Sequence, residues 1–236
     1  MRVVSLVPSV TETLVTWGIP PVACTRFCEQ PELVHVGGTK NPDVDAIVDL
    51  GPDVVVMCVE ENRRQDAEAL EAAGLRVGSL SLDQVADVVP AMRTLTDLVE
   101  LVPASVVDEL EADIDRALEE AVSGAGPQLR RAFVPIWRRP WMTLSAGTYG
   151  SSLLAAVGVE NVYADATERY PETTLEDAAA RRPDVVLAPS EPYPFRERHV
   201  PELEEVAPVV LVDGQDLFWW GARTPSALRR LTHLRN

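Results

Sequence analysis

Short runs of apolar, β-branched residues alternate along this chain with stretches whose apolar positions return every three or four residues. The first pattern suits strands buried on both faces, the second helices with one buried stripe. Residues 3–7 (Val3-Val4-Ser5-Leu6-Val7) predict a strand, followed by a turn at Pro8-Ser9 and a helix running to Gly18. An internal echo then appears. Gly51-Pro52-Asp53-Val54-Val55-Val56-Met57 leads to Glu60-Glu61, a helical stretch to Gly74 and a strand at residues 75–77. In the second half Arg182-Pro183-Asp184-Val185-Val186-Leu187-Ala188 leads to Glu191, a polar segment and a strand at residues 209–212. Each Pro-Asp-Val-Val is preceded by a short helical pattern, over residues 43–50 and 175–180. Residues 131–136 read as another strand, and a helix from about Ser151 stops at Gly158. Glycine ends helices well because it adopts a left-handed backbone at little cost.

Strands alternating with helices imply parallel sheets covered on both faces. Two such runs in tandem predict an α/β fold of two three-layer lobes with mainly parallel sheets, joined by one long α-helix. The connecting pattern spans residues 103–122, with Val107, Leu110, Ile114, Leu118 and Ala121 on one face. Pro103 suits the first helical turn, where its missing N–H is no loss. Ser123-Gly124-Ala125-Gly126-Pro127 is the expected stop. The predicted divisions are an N-terminal lobe at 1–102, the helix at 103–124 and a C-terminal lobe at 125–236. About 20 helical residues make a rod of roughly 30 Å. Such a connection predicts a protein with limited hinge motion.

Composition narrows the partners. The 21 Lys+Arg against 37 Asp+Glu give a formal charge of −16, which repels phosphate backbones and anionic lipid surfaces. No nucleic-acid partner and no membrane insertion are expected. Three cysteines (Cys24, Cys28, Cys58) make no disulfide framework. Cys24 and Cys28 stand wider apart than a two-residue spacing, and with only His35, His199 and His233 a dedicated zinc cage is not expected. The apolar start is too short for a secretory signal, and no 18-residue apolar run is present. The chain as written therefore reads as a cytoplasmic monomer, or as extracytoplasmic if a signal has been replaced by Met1.

In open parallel sheets ligands bind beyond the carboxyl ends of the strands. In the first half those ends carry Ser9, Arg26, Cys28, Glu60 and Arg63; in the second, Trp137, Arg138, Tyr149, Glu191, Tyr193, Trp219, Trp220 and Arg223. Four of the five Trp fall in loop-like segments of the second half, and the adjacent Trp219-Trp220 pair is not expected to point inward at both positions. Aromatic faces interleaved with Arg suit a large, flat ligand with polar edges, through stacking and charge-assisted bonds. The bland readings are that Trp137 and Trp141 cap a core, that the arginines pair with the many acids, and that Glu60-Glu61 opens a helix.

Several of these segments carry a family resemblance. Arg2-Val3-Val4-Ser5-Leu6-Val7-Pro8-Ser9-Val10-Thr11-Glu12, Thr25-Arg26-Phe27-Cys28 and His35-Val36-Gly37-Gly38-Thr39-Lys40-Asn41-Pro42-Asp43 resemble the class III (helical-backbone) substrate-binding proteins. Gly147-Thr148-Tyr149-Gly150-Ser151-Ser152-Leu153-Leu154, Gly158-Val159-Glu160-Asn161-Val162 and both Pro-Asp segments match in order. The nearest branch is the cobalamin-binding proteins of ABC importers. The resemblance implies a non-enzymatic protein that clamps a metal chelate, cobalamin (a corrinoid) or a ferric siderophore, between two lobes, with no covalent cofactor. It also implies an ABC permease as partner if the protein serves uptake, or else an intracellular carrier. By position the implied ligand-facing residues are Ser9, Cys28, Glu60, Trp137, Tyr149, Glu191, Trp219 and Trp220. The scaffold also carries haem and free metal ions, but three scattered His do not supply a free-metal site. Two departures bear on transport: no export signal, and Arg63-Arg64 where an acidic docking residue is expected, with Asp66 and Glu68 just beyond.

Two other classes compete. A cytoplasmic α/β enzyme would have to rest on Cys28 as nucleophile with His35 nearby, or on an anion site at Gly147–Ser152, since no dinucleotide fingerprint, P-loop or nucleophile elbow is present. A ligand-sensing interaction protein on the same scaffold is the third.

Overall fold

The computed structural model describes residues 1–123 and 130–235, which divide into two compact units. The first comprises Met1–Leu82, Ala86–Ala112 and Trp220–Arg223; the second comprises Asp83–Val85, the described part of Asp113–Trp219, and the chain from Thr224. The glycine-rich stop expected at Gly124 to Pro127 lies outside the described residues.

In the first unit, β1 (Val3–Ser5), β2 (Ala23–Cys24), β3 (Val34–His35), β6 (Val54–Cys58) and β7 (Val77–Leu80) form one parallel sheet in the order β3-β2-β1-β6-β7. A small antiparallel hairpin, β4 (Gly37–Gly38) with β5 (Asn41–Pro42), follows β3. The helices are α1 (Pro8–Thr16), α2 (Val44–Leu50), α3 (Arg64–Ala72), α4 (Val88–Val99) and the start of α5 (Ala104–Ser123), which continues into the second unit from Asp113. All five residues of β6 are buried, as a strand covered on both faces requires. Val4, Leu6, Ile47, Val55, Met57 and Leu70 pack into one core cluster, each side chain worth about 1.5–3 kcal/mol when fully buried.

The second unit repeats the plan. Strands β8 (Arg130–Phe133), β10 (Val159–Asn161), β12 (Val185–Pro189) and β13 (Val209–Val212) form a parallel sheet in the order β10-β8-β12-β13. An antiparallel pair, β9 (Trp141–Met142) with β11 (Glu172–Thr173), stands apart from it. Helices α6 (Tyr149–Ala156), α7 (Leu175–Ala180), α8 (Val200–Leu203), α9 (Gly214–Phe218) and α10 (Thr224–Leu231) complete the unit.

The repeated Pro-Asp has a structural cause. The Asp53 carboxylate accepts the Arg2 N–H at 2.5 Å while the Asp53 N–H donates to the Arg2 carbonyl at 2.8 Å. Asp184 does the same with Arg131, at 2.8 Å in both directions. Each aspartate thus pins the start of the Val-Val strand in register with its neighbour. The preceding short helices match as well: Asp43 caps α2 and Thr174 caps α7, each accepting a first-turn N–H at 3.0 Å.

Three local expectations are corrected. Pro8-Ser9 is no turn: Pro8 occupies the first position of α1 itself. The strand expected at 75–77 begins instead at Val77, because Leu75 closes α3. Its N–H bonds the Leu70 carbonyl at 3.1 Å and that of Gly74 bonds Glu71 at 2.9 Å, with Gly74 at φ 86°, a Schellman stop. Along α5 the buried stripe is Val107, Leu110, Ile114, Ala117 and Ala121, with Ala117 in place of Leu118.

One side chain ties the first sheet together. Asn62 is buried; its amide donates to the carbonyls of Leu6 at 3.1 Å and Thr39 at 2.9 Å, and its oxygen accepts the Cys58 N–H at 2.7 Å. Asn62→Ala leaves these backbone groups unsatisfied, and the expected loss is about 2–4 kcal/mol in urea denaturation. Conversely, Arg182 stands before Pro183 with φ 54°, where its counterpart is Gly51, also at 54°. Arg182→Gly relieves the left-handed strain and is expected to raise the unfolding free energy by about 0.5–1 kcal/mol.

Candidate functional site

The strand orders fix where each sheet can receive a ligand. In the first, the chain runs outward from β1 through β2 to β3, then restarts on the other side of β1 with β6 and β7. The switch point lies between β1 and β6, and crevices form at the carboxyl ends beside such points. Ser9, in the first turn of α1, and Glu60, two residues beyond β6, flank it. In the second sheet the switch lies between β8 and β12; Trp137 follows the first strand and Glu191 and Tyr193 the second.

At the first edge, Ser9 is buried and its hydroxyl has no partner among the described residues. Cys28 is buried beside Thr11 and Thr25, whose hydroxyl oxygens lie 3.3 and 3.4 Å from its sulfur. Its thiol is lowered to about 6, first by the hydrogen bond with Cys24, against the effect of burial, with Thr11 and Thr25 adding to the lowering. His35 is not the activating group: its Nε2 sits 3.2 Å from the Gln30 carbonyl. The Arg26 guanidinium lies 5.1 Å from the centre of the Phe27 ring, and both side chains lie over Gly38. A Cβ there would stand 3.0 Å from the Phe27 ring and 3.2 Å from Arg26 Nη2. Glu60 is half-buried, and its carbonyl accepts from Lys40 Nζ at 2.7 Å. Arg63 pairs with Asp66 through two bonds of 2.9 and 3.0 Å.

At the second edge, Trp137 is 44% exposed and meets the Tyr193 ring edge-on at 5.7 Å. Behind it, Tyr193 packs on Phe195 at 4.8 Å and His199 at 5.5 Å, while Trp141 stacks on Phe195 at 6.0 Å. Arg138 lies 6.0 Å from the Trp141 ring and bonds Glu202 at 2.8 Å. Glu191 is half-buried against Gly214, where a Cβ would come within 2.4 Å of its Cγ.

The structure thus gathers Trp137, Arg138 and Tyr193 into one cluster, and Ser9, Arg26, Cys28 and Glu60 along one sheet edge. Others are buried or paired. Tyr149 is buried with its hydroxyl 3.0 Å from Thr224 Oγ1, and Arg223 is bound to Glu12 through both carboxylate oxygens. Trp219 and Trp220 are both buried, 7% and 3% exposed, which corrects the expectation that the pair would not both turn inward. The units divide between these two residues. Phe27 (53% exposed) lies in the Thr25–Cys28 segment quoted above but was not singled out, and Val59 (65%) was missed; both are apolar side chains left open at the first edge. Val59 directly follows the buried run of β6, and its apolar character hid it in that run.

Comparison with known proteins resolves the class. The profile of the periplasmic binding protein family matches residues 3–206. The chain belongs to that family. The vitamin B12-binding protein of Salmonella paratyphi A is 26% identical over 193 residues, covering 79% of this chain and 71% of that protein. The vitamin B12-binding protein of Yersinia pestis (strain Pestoides F) is 26% identical over 200 residues, covering 79% and 68%. Among solved structures, the periplasmic vitamin B12 binding protein of Vibrio cholerae superposes with a TM-score of 0.80 at 18% identity, over 98% of this chain and 95% of that one. The periplasmic haem-binding protein BhuT, in complex with two haems, gives 0.85 at 20% identity, over 98% and 96%. This periplasmic binding protein therefore has the class III substrate-binding fold that its sequence resembles, and it is a ligand-binding protein. No helix among the described residues is long and apolar enough to cross a membrane, and no cluster of three or more His, Cys, Asp or Glu among them could hold a metal ion.

His199 gives the aromatic cluster a pH dependence. Its Nδ1 accepts the Arg196 N–H at 3.0 Å, and burial, then Arg198 and Arg138, hold its pKa below the ordinary 6.5. The unfolded chain therefore takes up this proton first, so the contribution of His199 is complete above about pH 6.5 and is lost as pH falls through the lower folded value. The urea midpoint is expected to drop more steeply between pH 7 and 5 in the natural chain than in His199→Gln. Parallel pH dependence of the two would remove the role of this imidazole.

Proposed function

We propose that this periplasmic binding protein captures a corrinoid of the cobalamin type, as the binding component of an ABC-type uptake system working outside the cytoplasm with a permease partner. The observation that carries the reading is the alignment with vitamin B12-binding proteins over 193 residues, most of both chains. The family consists of binding proteins, so the ligand is cargo and leaves unchanged.

The chemistry of the two edges supports this choice. A corrinoid is broad, apolar across its ring faces and fringed with neutral amides. Trp137, held edge-on by Tyr193, offers an indole to such a face, while Phe27 and Val59 offer exposed apolar surface at the other edge. A polyanionic catecholate siderophore would need unspent positive charge. Of the four site arginines, Arg63, Arg138 and Arg223 already hold Asp66, Glu202 and Glu12, in a chain of net charge −16. That arrangement favours a ligand of low charge. Ser9, Glu60 and Glu191, beside the two switch points, are the proposed polar contacts to the amide fringe.

The test is calorimetric titration of the full chain with cyanocobalamin, haemin, and ferric catecholate and hydroxamate siderophores. Cyanocobalamin is expected to bind saturably, and Trp137→Ala to weaken it about tenfold, equivalent to about 1.4 kcal/mol. Saturable haemin binding with a flat cyanocobalamin trace would replace the corrinoid by haem. No heat with any of them would remove the chelate reading altogether.

A further inference from the structure

Of the four candidate arginines, three hold acids: Arg63 with Asp66, Arg138 with Glu202 and Arg223 with Glu12. Arg26 is the exception. Among the described residues its guanidinium makes no ion pair and no hydrogen bond. It lies over the Phe27 ring, 5.1 Å from the centre, and both side chains are exposed. The backbone beneath them is fixed: the Arg26 N–H donates to the Gly37 carbonyl at 2.8 Å and the Phe27 N–H to Thr25 Oγ1 at 3.3 Å. Gly38 leaves room for the pair, since a Cβ there would stand 3.0 Å from the Phe27 ring and 3.2 Å from Arg26 Nη2. A guanidinium resting on an aromatic face keeps its rim of N–H donors open to an acceptor. The result is an unspent fork of donors just beyond the carboxyl end of β2, the neighbour of β1 at the switch point.

We propose that Arg26, resting on Phe27, binds the phosphodiester of a complete cobalamin, so that the protein selects corrinoids with a nucleotide loop over those without one. The inference rests on the corrinoid reading above and adds which part of the ligand is recognised. A cobalamin is fringed with neutral amides and carries a single phosphodiester, in the loop that holds its lower base. Cobinamide has the same ring and amides but ends before that phosphate. A lone unpaired guanidinium suits a lone anionic group, because the planar fork bonds two phosphate oxygens at once and charge strengthens both bonds. The surrounding acids, in a chain of net charge −16, discourage a ligand with several negative groups. Phe27 limits the cost of ordering the long Arg26 side chain, since the guanidinium already rests on its ring before the ligand arrives.

The experiment titrates the full chain and its Arg26→Gln variant with cyanocobalamin and with dicyanocobinamide, by calorimetry at low salt. The natural chain is expected to bind cyanocobalamin more tightly than the cobinamide. In Arg26→Gln, cyanocobalamin is expected to weaken about tenfold, the size of a lost charge-assisted contact, while the cobinamide changes less than about twofold. Comparing the variant across both ligands isolates the phosphate, because loss of the lower base affects natural chain and variant alike. Retained cobinamide binding also shows that the variant is folded. Equal weakening of both ligands would overturn the proposal, since Arg26 would then serve the ring; so would unchanged cyanocobalamin binding in the variant. A natural chain that binds neither ligand would instead remove the corrinoid reading, and this inference with it.

Discussion

The feature on which the rest of the first unit depends is the buried Asn62 amide at the switch point of its sheet. Parallel strands cannot be joined by hairpins, so β1 and β6 come together only after a long excursion of the chain. Hydrogen bonds along the ladder set their register, but nothing in a ladder fixes how the strands end. Asn62 does so, holding the Leu6 carbonyl beyond β1, the Cys58 N–H at the end of β6 and the Thr39 carbonyl in the turn of the small hairpin. Ser9, Glu60 and Val59 are thereby set on a rigid edge rather than on free loops. In the second unit a buried amide does similar work at the end of the edge strand β10, where Asn161 donates to the Leu144 carbonyl at 2.7 Å and to Ser151 Oγ at 3.1 Å while accepting from the Tyr163 N–H at 3.0 Å. A buried amide that satisfies three neighbours adds specificity as well as stability, because any slipped arrangement leaves polar groups unpaired.

What could be read from the sequence follows from which interactions are local. The two Pro-Asp-Val-Val segments were legible because their work is repeated: each aspartate anchors a strand start, and each following Val run is buried on both faces. The helix stops at Gly18, Gly74 and Gly158 were legible too, since all three take positive φ. Helix α4 was legible in principle and left unread, with Val88, Ala91, Met92, Leu95 and Val99 buried at helical spacing. Most of the strands were legible, but several of their ends fall elsewhere, with β1 stopping at Ser5, β7 running to Leu80 and β8 stopping at Phe133, and the fate of each side chain beyond them was not legible. Trp219 and Trp220 are both buried although no local pattern encodes it, and the hold of Glu12 on Arg223 joins residues 211 apart.

The arginines show how a correct residue list can carry the wrong chemistry. An Arg at a strand end suggests an anion, but an acidic chain supplies acids to nearly every Arg. Here Asp66 occupies Arg63 from one helical turn away, and Glu202 reaches Arg138 from α8. A guanidinium already held by a carboxylate gives up a charge-assisted bond before it can bind another anion. It remains useful as a flat, polar surface that stacks on aromatic rings, as Arg138 does beside Trp141.

The two edges therefore differ in kind although their scaffolds are the same. The first has buried hydroxyls, a buried thiol and glycine backbone, with Phe27 and Val59 standing open; the second presents indole and phenol rings backed by His199. Switch-point position comes from the shared plan, although the first sheet has five strands and the second four, so a repeated scaffold guarantees only that two edges exist. Their chemistry is written in the few residues after each strand, where substitution costs the sheet nothing. That freedom explains why relatives with nearly superposable folds carry names for different ligands. It also means that the identity of the ligand must be argued from side chains such as Trp137 and Phe27, never from the sheet beneath them.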